Sequence, residues 1–393
     1  MSKLSEMIAR LCPNGVEYRK IKDTFKRLRG TPITAGQMKQ IQNDDGEIMI
    51  FAGGKTAVRA KEKDILRANI TRVPAVLVQS RGIIDFIYCD KPFTFKNEMW
   101  AYTADDPITV KYLYYVLQNN AKAFREAASG MGALPQISLK VTEDFPIPLP
   151  PLPVQREIVQ ILDNFANLTA ELTAELAKRK KQYEHYRRAL LGGVESGELR
   201  VESGGTVKSW PMVKLGEVCE RVSAGGDVPD SCVKGQLAPN DDRPYPVYSN
   251  GIGENALYGY AADYKIEGEA VTIAARGTIG HHEWRKGKYT GIIRLITLQP
   301  NEMVISAKFL NYALFTVNFV FSGGGIPQLT VPMVKEVKIP LPPLAEQERI
   351  VAILDRFDSL CNSLTEGLPA EIALRKKQYE YYRDKLLSFK EAS

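Results

Sequence analysis

The chain has 393 residues, 44% hydrophobic and 25% charged, with a net charge of +6. That length supports two or three domains with proper cores, and the composition excludes a disordered or fibrous chain. The mildly basic balance is compatible with a polyanionic partner without requiring one.

The N-terminal stretch has no long apolar core of the signal-peptide kind. Five scattered cysteines (Cys12, Cys89, Cys219, Cys232 and Cys361) show no CxxC spacing, so a reducing cytoplasm is expected and neither a disulfide framework nor a zinc site. In the first globular part, FAGGK (51–55) reads as a polar contact loop or as plain turn chemistry, and its candidate contacts are Gly53 and Lys55, with Arg59 beyond. PAVLVQ (74–79) predicts a strand. It runs into SRG, where Gly82 permits close backbone approach and Arg81 can fork onto phosphate or guanine; the plain alternative is a surface arginine at a strand end. Periodicity predicts a helix over 111–128. The Gly-rich SGMGA and LPQIS follow, either a loop whose Gln136 reads adenine or a simple connector.

A proline-rich entry, PIPLPPLP, then delivers an extended chain into a predicted helix over 154–191. Its 38 residues would span roughly 57 Å. Ile158, Ile161, Phe165, Leu168, Leu172, Leu176, Arg179, Tyr183, Tyr186 and Leu190 step by threes and fours, as a coiled-coil seam does. Inside it LTAELTAEL repeats a tetrad, a step that nearly closes one helical turn and keeps each Leu on one face, as a spacer would. The run KRKKQYEHYRR (178–188) is a solvated helix face or, second, a phosphate- or partner-facing one. The Gly/Ser-rich segment 192–205 reads as a linker.

Beyond the linker the chain repeats itself. IPLPPLPVQREIVQILDNF (147–165) returns as IPLPPLAEQERIVAILDRF (339–357), and RKKQYEHYRRALL (179–191) as RKKQYEYYRDKLL (375–387). Fainter copies lie upstream: AVLVQSRGII with AVTIAARGTI, KYLYYVL with KFLNYAL, and LPQIS with IPQLT. The second copy therefore has its own candidates: Tyr248 and Asn250 in YSNGIG, Arg276, Gly277 and Thr278 after the strand AVTIAA, and Gln328. GIIRLITL (291–298) predicts a strand, and the apolar run 309–321 a buried helix too short to span a bilayer. A second seam follows through Ile350, Ile353, Phe357, Leu360, Leu364, Leu368, Ile372, Arg375, Tyr379, Tyr382 and Leu386, with a kink or short break expected at Gly367 and Pro369. An exposed stripe this long needs a partner, and the nearest equal is the other helix, paired antiparallel.

The expected fold class is α+β: two globular parts related by pseudo-twofold symmetry and separated by two long antiparallel coiled-coil helices. The expected organisation is a first globular domain over 1–150, a spacer helix over 151–192, a linker over 193–209, a second domain over 210–343 and a C-terminal spacer helix over 344–393. No phosphate loop, dinucleotide fingerprint, HExxH or GxSxG is present, nor the tetrapeptides of DNA amino-methyltransferases. His281 and His282 read as a solvated loop rather than metal ligands, and Glu336-Val337-Lys338 as a chance tripeptide rather than a nuclease element. The chain is expected not to be an enzyme.

The duplicated IPLPPLxxQxxIVxILDxF, the TAEL tetrads and the duplicated RKKQYExYRxxLL resemble the specificity subunit of type I restriction–modification enzymes over the whole chain. The resemblance implies a non-catalytic, cytoplasmic subunit of a restriction defence that reads double-stranded DNA. Each recognition domain would read one half of a split, asymmetric target. The helices would hold the domains apart and dock two methyltransferase subunits, through Leu172, Leu176, Arg179, Tyr183 and Tyr186 on the first and Leu364, Leu368, Arg375, Tyr379 and Tyr382 on the second. It places no cofactor in this chain; S-adenosylmethionine, ATP and Mg are expected on the methyltransferase and restriction subunits, and no membrane is involved. The rival reading is a coiled-coil adaptor that never touches nucleic acid.

Overall fold

The structure, a computed structural model, describes residues 3–54, 56–128, 134–192, 210–319, 328–363 and 365–392. The linker expected over 193–209 and most of the Gly-rich runs before Gln136 and Gln328 lie outside them. The chain divides into two compact units, Met1–Thr173 with Glu371–Ser393, and Ala174–Ala370.

In the first unit, strands Lys26–Arg29, Trp100–Thr103, Ala75–Gln79 and Asp85–Cys89 form an antiparallel sheet in that order. Ala57–Ala60, Ile48–Phe51 and Phe93–Phe95 form a second sheet, whose last pair is parallel. The expected strand at Ala75–Gln79 is central and fully buried, which explains its unbroken apolar run. The second unit repeats this plan. Cys219–Ala224, Leu295–Pro300, Glu269–Ala274 and His282–Lys286 make its first sheet, and Val233–Lys234, Leu257–Ala261, Tyr245–Tyr248 and Thr290–Gly291 its second, again ending on a parallel pair. Both units are mixed α+β, as expected.

Three expectations need correction. The strand read over 291–298 is two strands in two sheets, Thr290–Gly291 and Leu295–Pro300, separated where Arg294 takes a φ of 74°. Apolar content cannot reveal a change of sheet. The helix expected over 111–128 begins earlier, at Pro107–Asn119, where the Asp106 carboxylate accepts from Ile108 N–H, and it breaks at Asn120 before Ala121–Glu126. Among the described residues of the apolar run 309–321 the helix is Ala307–Leu314, and Phe315 just past its end is exposed.

The long helix is Leu152–Leu191 and shares its residues between the two units. Its start is embedded in the first core, where Val154, Ile158, Val159 and Leu162 pack with Leu387 of the C-terminal helix Leu368–Leu387. Its end packs in the second core, where Tyr183, Leu190 and Leu191 meet Ile350 and Leu354 of the helix Leu344–Asn362. In the second unit Tyr183 and Tyr186 stack on Phe357, at 6.0 and 5.3 Å between centroids. Further along, Cys361 feels the charges of Lys180 and Arg179, so this pairing is antiparallel. In the first unit Phe165 stacks on Tyr382 at 5.5 Å, the counterpart of Tyr186 on Phe357. Each unit thus joins the start of one repeated helix to the end of the other. Val159, Leu162 and Leu354 lie off the expected seam because a helix entering a domain buries a second stripe.

Of the kink or short break expected at Gly367 and Pro369, the structure shows the break. The helix ends at Asn362 and a new one begins at Leu368, with Gly367 at φ +82° between them. A Cβ on Gly367 would press on the carbonyls of Ser359 and Leu360, so only glycine fits there without strain.

Candidate nucleic-acid interface

Three loops that the sequence singles out in the first half are bound to one another. The Gln79 amide donates to Gly54 O at 2.7 Å, and Gly54 N–H to Arg81 O at 3.4 Å. On the other side Gly82 N–H donates to Pro135 O at 2.8 Å and Ile137 N–H to Ser80 O at 3.0 Å, bridging Arg81 and Gln136. Gly82 has a φ of 79°. Gly53 lies beside Arg81 O, and the exposed Arg81 guanidinium has no partner among the described residues. Lys55 lies outside them. Arg59 is not part of the cluster: its guanidinium donates to Gly46 O at 3.4 Å, at the far end of the Ile48–Phe51 strand.

The second half builds the same cluster from other side chains. The Asn250 amide donates to Arg276 O at 2.7 Å, and the Thr278 hydroxyl to Asn250 O at 2.5 Å. Gly277 has a φ of 79°. Leu329 N–H donates to Ala275 O at 2.8 Å, matching Ile137 to Ser80, and leaves Gln328 exposed beside it. Tyr248 supports rather than caps this loop, since the Arg285 guanidinium covers its ring at 3.7 Å and Tyr289 meets its edge. Candidate residues far apart in sequence thus converge on one loop cluster in each unit, on polar, partly exposed surface.

A carboxylate that sequence reasoning missed organises the second cluster. Glu283 accepts from Gly253 N–H at 3.0 Å and His281 Nε2 at 2.8 Å, and pairs with Arg285 at 2.7 Å. Burial works to raise its pKa, but those bonds outweigh it and hold the group below its ordinary value. Its only sequence signal is the His-His-Glu run, and the solvated loop expected there is half wrong. His282 begins a strand and is buried, with Nδ1 at 3.0 Å from Asn311 Oδ1 and its ring edge-on to Phe315. Burial lowers its pKa. The Glu336-Lys338 pair forms no centre: Glu336 pairs with Lys214 at 2.6 Å on the surface. Among the described residues no cluster of metal-binding side chains occurs. Nor is any described helix long and apolar enough to cross a membrane.

On the helices, Arg179 binds Glu175 and Gln182 at 2.7 and 3.0 Å, and Arg375 repeats the pattern with Glu371 and Gln378 at 3.4 and 3.2 Å. Leu172, Leu176, Leu368 and Tyr379 are half-buried and Tyr183 is buried, while Leu364 lies outside the described residues. Tyr186 and Tyr382 keep 39% and 42% of their surface despite their stacking, which leaves an edge for another protein. Tyr381 and Leu374, more exposed at 61% and 56%, fall outside the seam.

The family model for the type I restriction modification DNA specificity domain matches the chain twice, at residues 13–179 and 207–374. A putative type I specificity subunit of Mycoplasma pneumoniae is 36% identical over 298 residues, covering 72% of this chain and 83% of its own. The specificity subunit of the Escherichia coli type I restriction enzyme EcoR124I/EcoR124II is 35% identical over 311 residues, 72% of each. Among solved structures, the type I restriction–modification S subunit from M. genitalium superposes with a TM-score of 0.58 at 17% identity, over 95% of both chains, which supports the fold. Two matched copies over most of its length, with relatives this similar, place the chain in the family of type I restriction–modification DNA specificity subunits.

Proposed function

We propose that the chain is the DNA-reading subunit of a type I restriction–modification complex, each three-loop cluster reading one half of a bipartite, asymmetric target. The carrying observation is that both units present a like loop cluster on a matching backbone bond, Ile137 to Ser80 and Leu329 to Ala275, with an Arg and a Gln kept at the rim and the side chains around them changed, Ile83 against Thr278 among them. A constant frame with variable contacts is what two readers of different sequences need. The exposed Arg81 and Gln136, and in the second unit the half-buried Arg276 and Thr278 with the exposed Gln328, are the proposed contacts. The long helices set the separation of the half-sites and dock two methyltransferase subunits through the stacked but partly exposed Tyr186 and Tyr382. On this reading the chain works in the cytoplasm and has no catalytic role of its own. S-adenosylmethionine is held by the methyltransferase subunits, and ATP and Mg by restriction subunits. A modest net charge of +6 suits a reader whose partners supply much of the phosphate grip.

The test is a domain exchange. Replacing residues 206–338 with the matching region of another specificity subunit should change one half of the methylated motif and leave the other intact, read by methylation-site sequencing. A change in both halves, or in neither, defeats the reading.

A further inference from the structure

Each spacer helix is tied to its recognition domain by the same polar constellation. In the second unit Asp355, the Asp of the repeated ILDxF motif, accepts from Tyr312 OH on Oδ1 at 2.7 Å and pairs with Lys308 Nζ through Oδ2 at 2.7 Å. The Lys308 ammonium also sits 5.0 Å from the centre of the Trp284 ring. In the first unit Asp163 accepts from Tyr115 OH on Oδ1 and pairs with Lys111 through Oδ2 at 2.8 Å, and Lys111 sits 5.1 Å from the centre of the Tyr88 ring. The same oxygens serve the same partners. Three elements meet at each lysine: the strand His282–Lys286 or Asp85–Cys89, the helix Ala307–Leu314 or Pro107–Asn119, and the start of the spacer helix.

The globular parts have diverged widely while the helices stayed nearly alike, yet KYLYYVL and KFLNYAL of the globular parts keep this Lys and this Tyr to meet the Asp kept in both copies of ILDxF. Chemistry at the reading loops does not require them. The tyrosine rings are part of the two cores, but the Lys and the Asp are not, and the apolar packing of Phe309, Leu310, Ile350 and Leu354 does not call for them. Such packing is non-directional and tolerates sliding and rotation, whereas a carboxylate engaged through both oxygens fixes position along and around the helix. Burial, then the bond to Asp355, pushes the Tyr312 hydroxyl far above its ordinary pKa, and the same two causes act on Tyr115, so each remains a donor. In the second unit this constellation lines a cleft of about 530 Å³ that also touches His282 and Asn311.

We propose that the Lys–Tyr–Asp clamp is the positioning device that fixes each reading domain on its spacer helix and so holds the unread gap of the split DNA target to one length. The inference rests on the two-reader function proposed above. One base pair is only about 3.4 Å along the duplex, so a small tilt at the clamp suffices to bring the neighbouring gap within reach.

The experiment uses the full chain with its methyltransferase subunits, comparing Asp355→Asn, Lys308→Met and Tyr312→Phe with the conservative Lys308→Arg, and Asp163→Asn in the other unit. Binding is measured on duplexes carrying both half-sites at the native gap and at one base pair more and less, together with methylation-site sequencing. Expected is an unchanged pair of half-sites, with the preference for the native gap reduced roughly tenfold, and retention of that preference in Lys308→Arg. Lower thermal stability with an undiminished gap preference in Asp355→Asn, Lys308→Met and Tyr312→Phe alike would overturn the clamp, as would altered half-site sequences. Should Asp355→Asn fail to assemble, the other two variants decide from the opposite side of the contact. A wild-type complex that modifies an unsplit sequence would instead sink the two-reader reading, so the two failures are distinguishable.

Discussion

The loop clusters and the helix entries of the two units diverged in opposite ways. At the loops a backbone bond coincides and an Arg and a Gln recur, while the side chains that brace them differ: Gln79 reaches Gly54 O in one unit, and Asn250 reaches Arg276 O from the other direction in the second. At the helix entry the side chains themselves coincide, Asp163 with Asp355 and Tyr115 with Tyr312. A main-chain frame specifies shape without specifying identity, so it can carry changing contacts. Side-chain geometry specifies identity, so it marks what had to stay fixed.

The largest effects should come from the helix entries. Leu162→Asp and Leu354→Asp each place a carboxylate at a position with 0% exposure, costing about 4 kcal/mol or more. Calorimetry should show the first lowering only the transition of the first unit and the second only that of the other. If either variant melted both units together, they would not be independent folding bodies. At the loops the effects should be smaller and carry sequence information. Arg81→Ala and Arg276→Ala should each weaken DNA binding by about 1–3 kcal/mol and relax discrimination in one half-site only. Titrations against duplexes altered in one half-site at a time would expose an arginine that merely decorates the surface.

The smallest effect separates the units by pH. His282 is paired across the sheet to Ile273, and Phe86 to Val78 holds the same place in the first unit. Burial lowers the folded His282 pKa below its ordinary 6.5. The neutral ring's contribution is therefore present above that value and lost as pH falls through it, because the unfolded chain takes up the proton more readily. Between pH about 7.5 and about 5.5 the second unit should lose melting temperature relative to the first, and His282→Phe should remove the difference.

Repetition made most of the architecture legible. The strand at Ala75–Gln79, the seam through Ile158 and Tyr183 and the break at Gly367 follow from local pattern: an unbroken apolar run, a helical period, a glycine before a proline. The candidate loops were legible only because each occurs twice, and their convergence was not, since bonds such as Ile137 to Ser80 join residues whose separation no periodicity encodes. The burial of His282, the change of sheet at Arg294 and the early helix end at Leu314 depend on neighbours brought in by the fold. The clamp lay in plain view as shared letters in KYLYYVL and KFLNYAL, but its Lys, Tyr and Asp gain a meaning only when a helix and a spacer meet.

The first unit is closed by the end of the chain: Val16 N–H donates to Lys390 O at 2.8 Å, Ala392 N–H returns to Val16 O at 3.0 Å, and Tyr18 OH reaches Phe389 O at 3.0 Å. All of Ala174–Ala370, the second unit, lies between the two stretches that compose it. On the ribosome the order of completion is therefore inverted. The second unit has its whole sequence available while the first still lacks Leu386, Leu387 and Phe389 for the core built around Val154 and Ile158. The N-terminal half, made first, completes its core last, and until then the apolar face around Val154 and Ile158 lacks its cover.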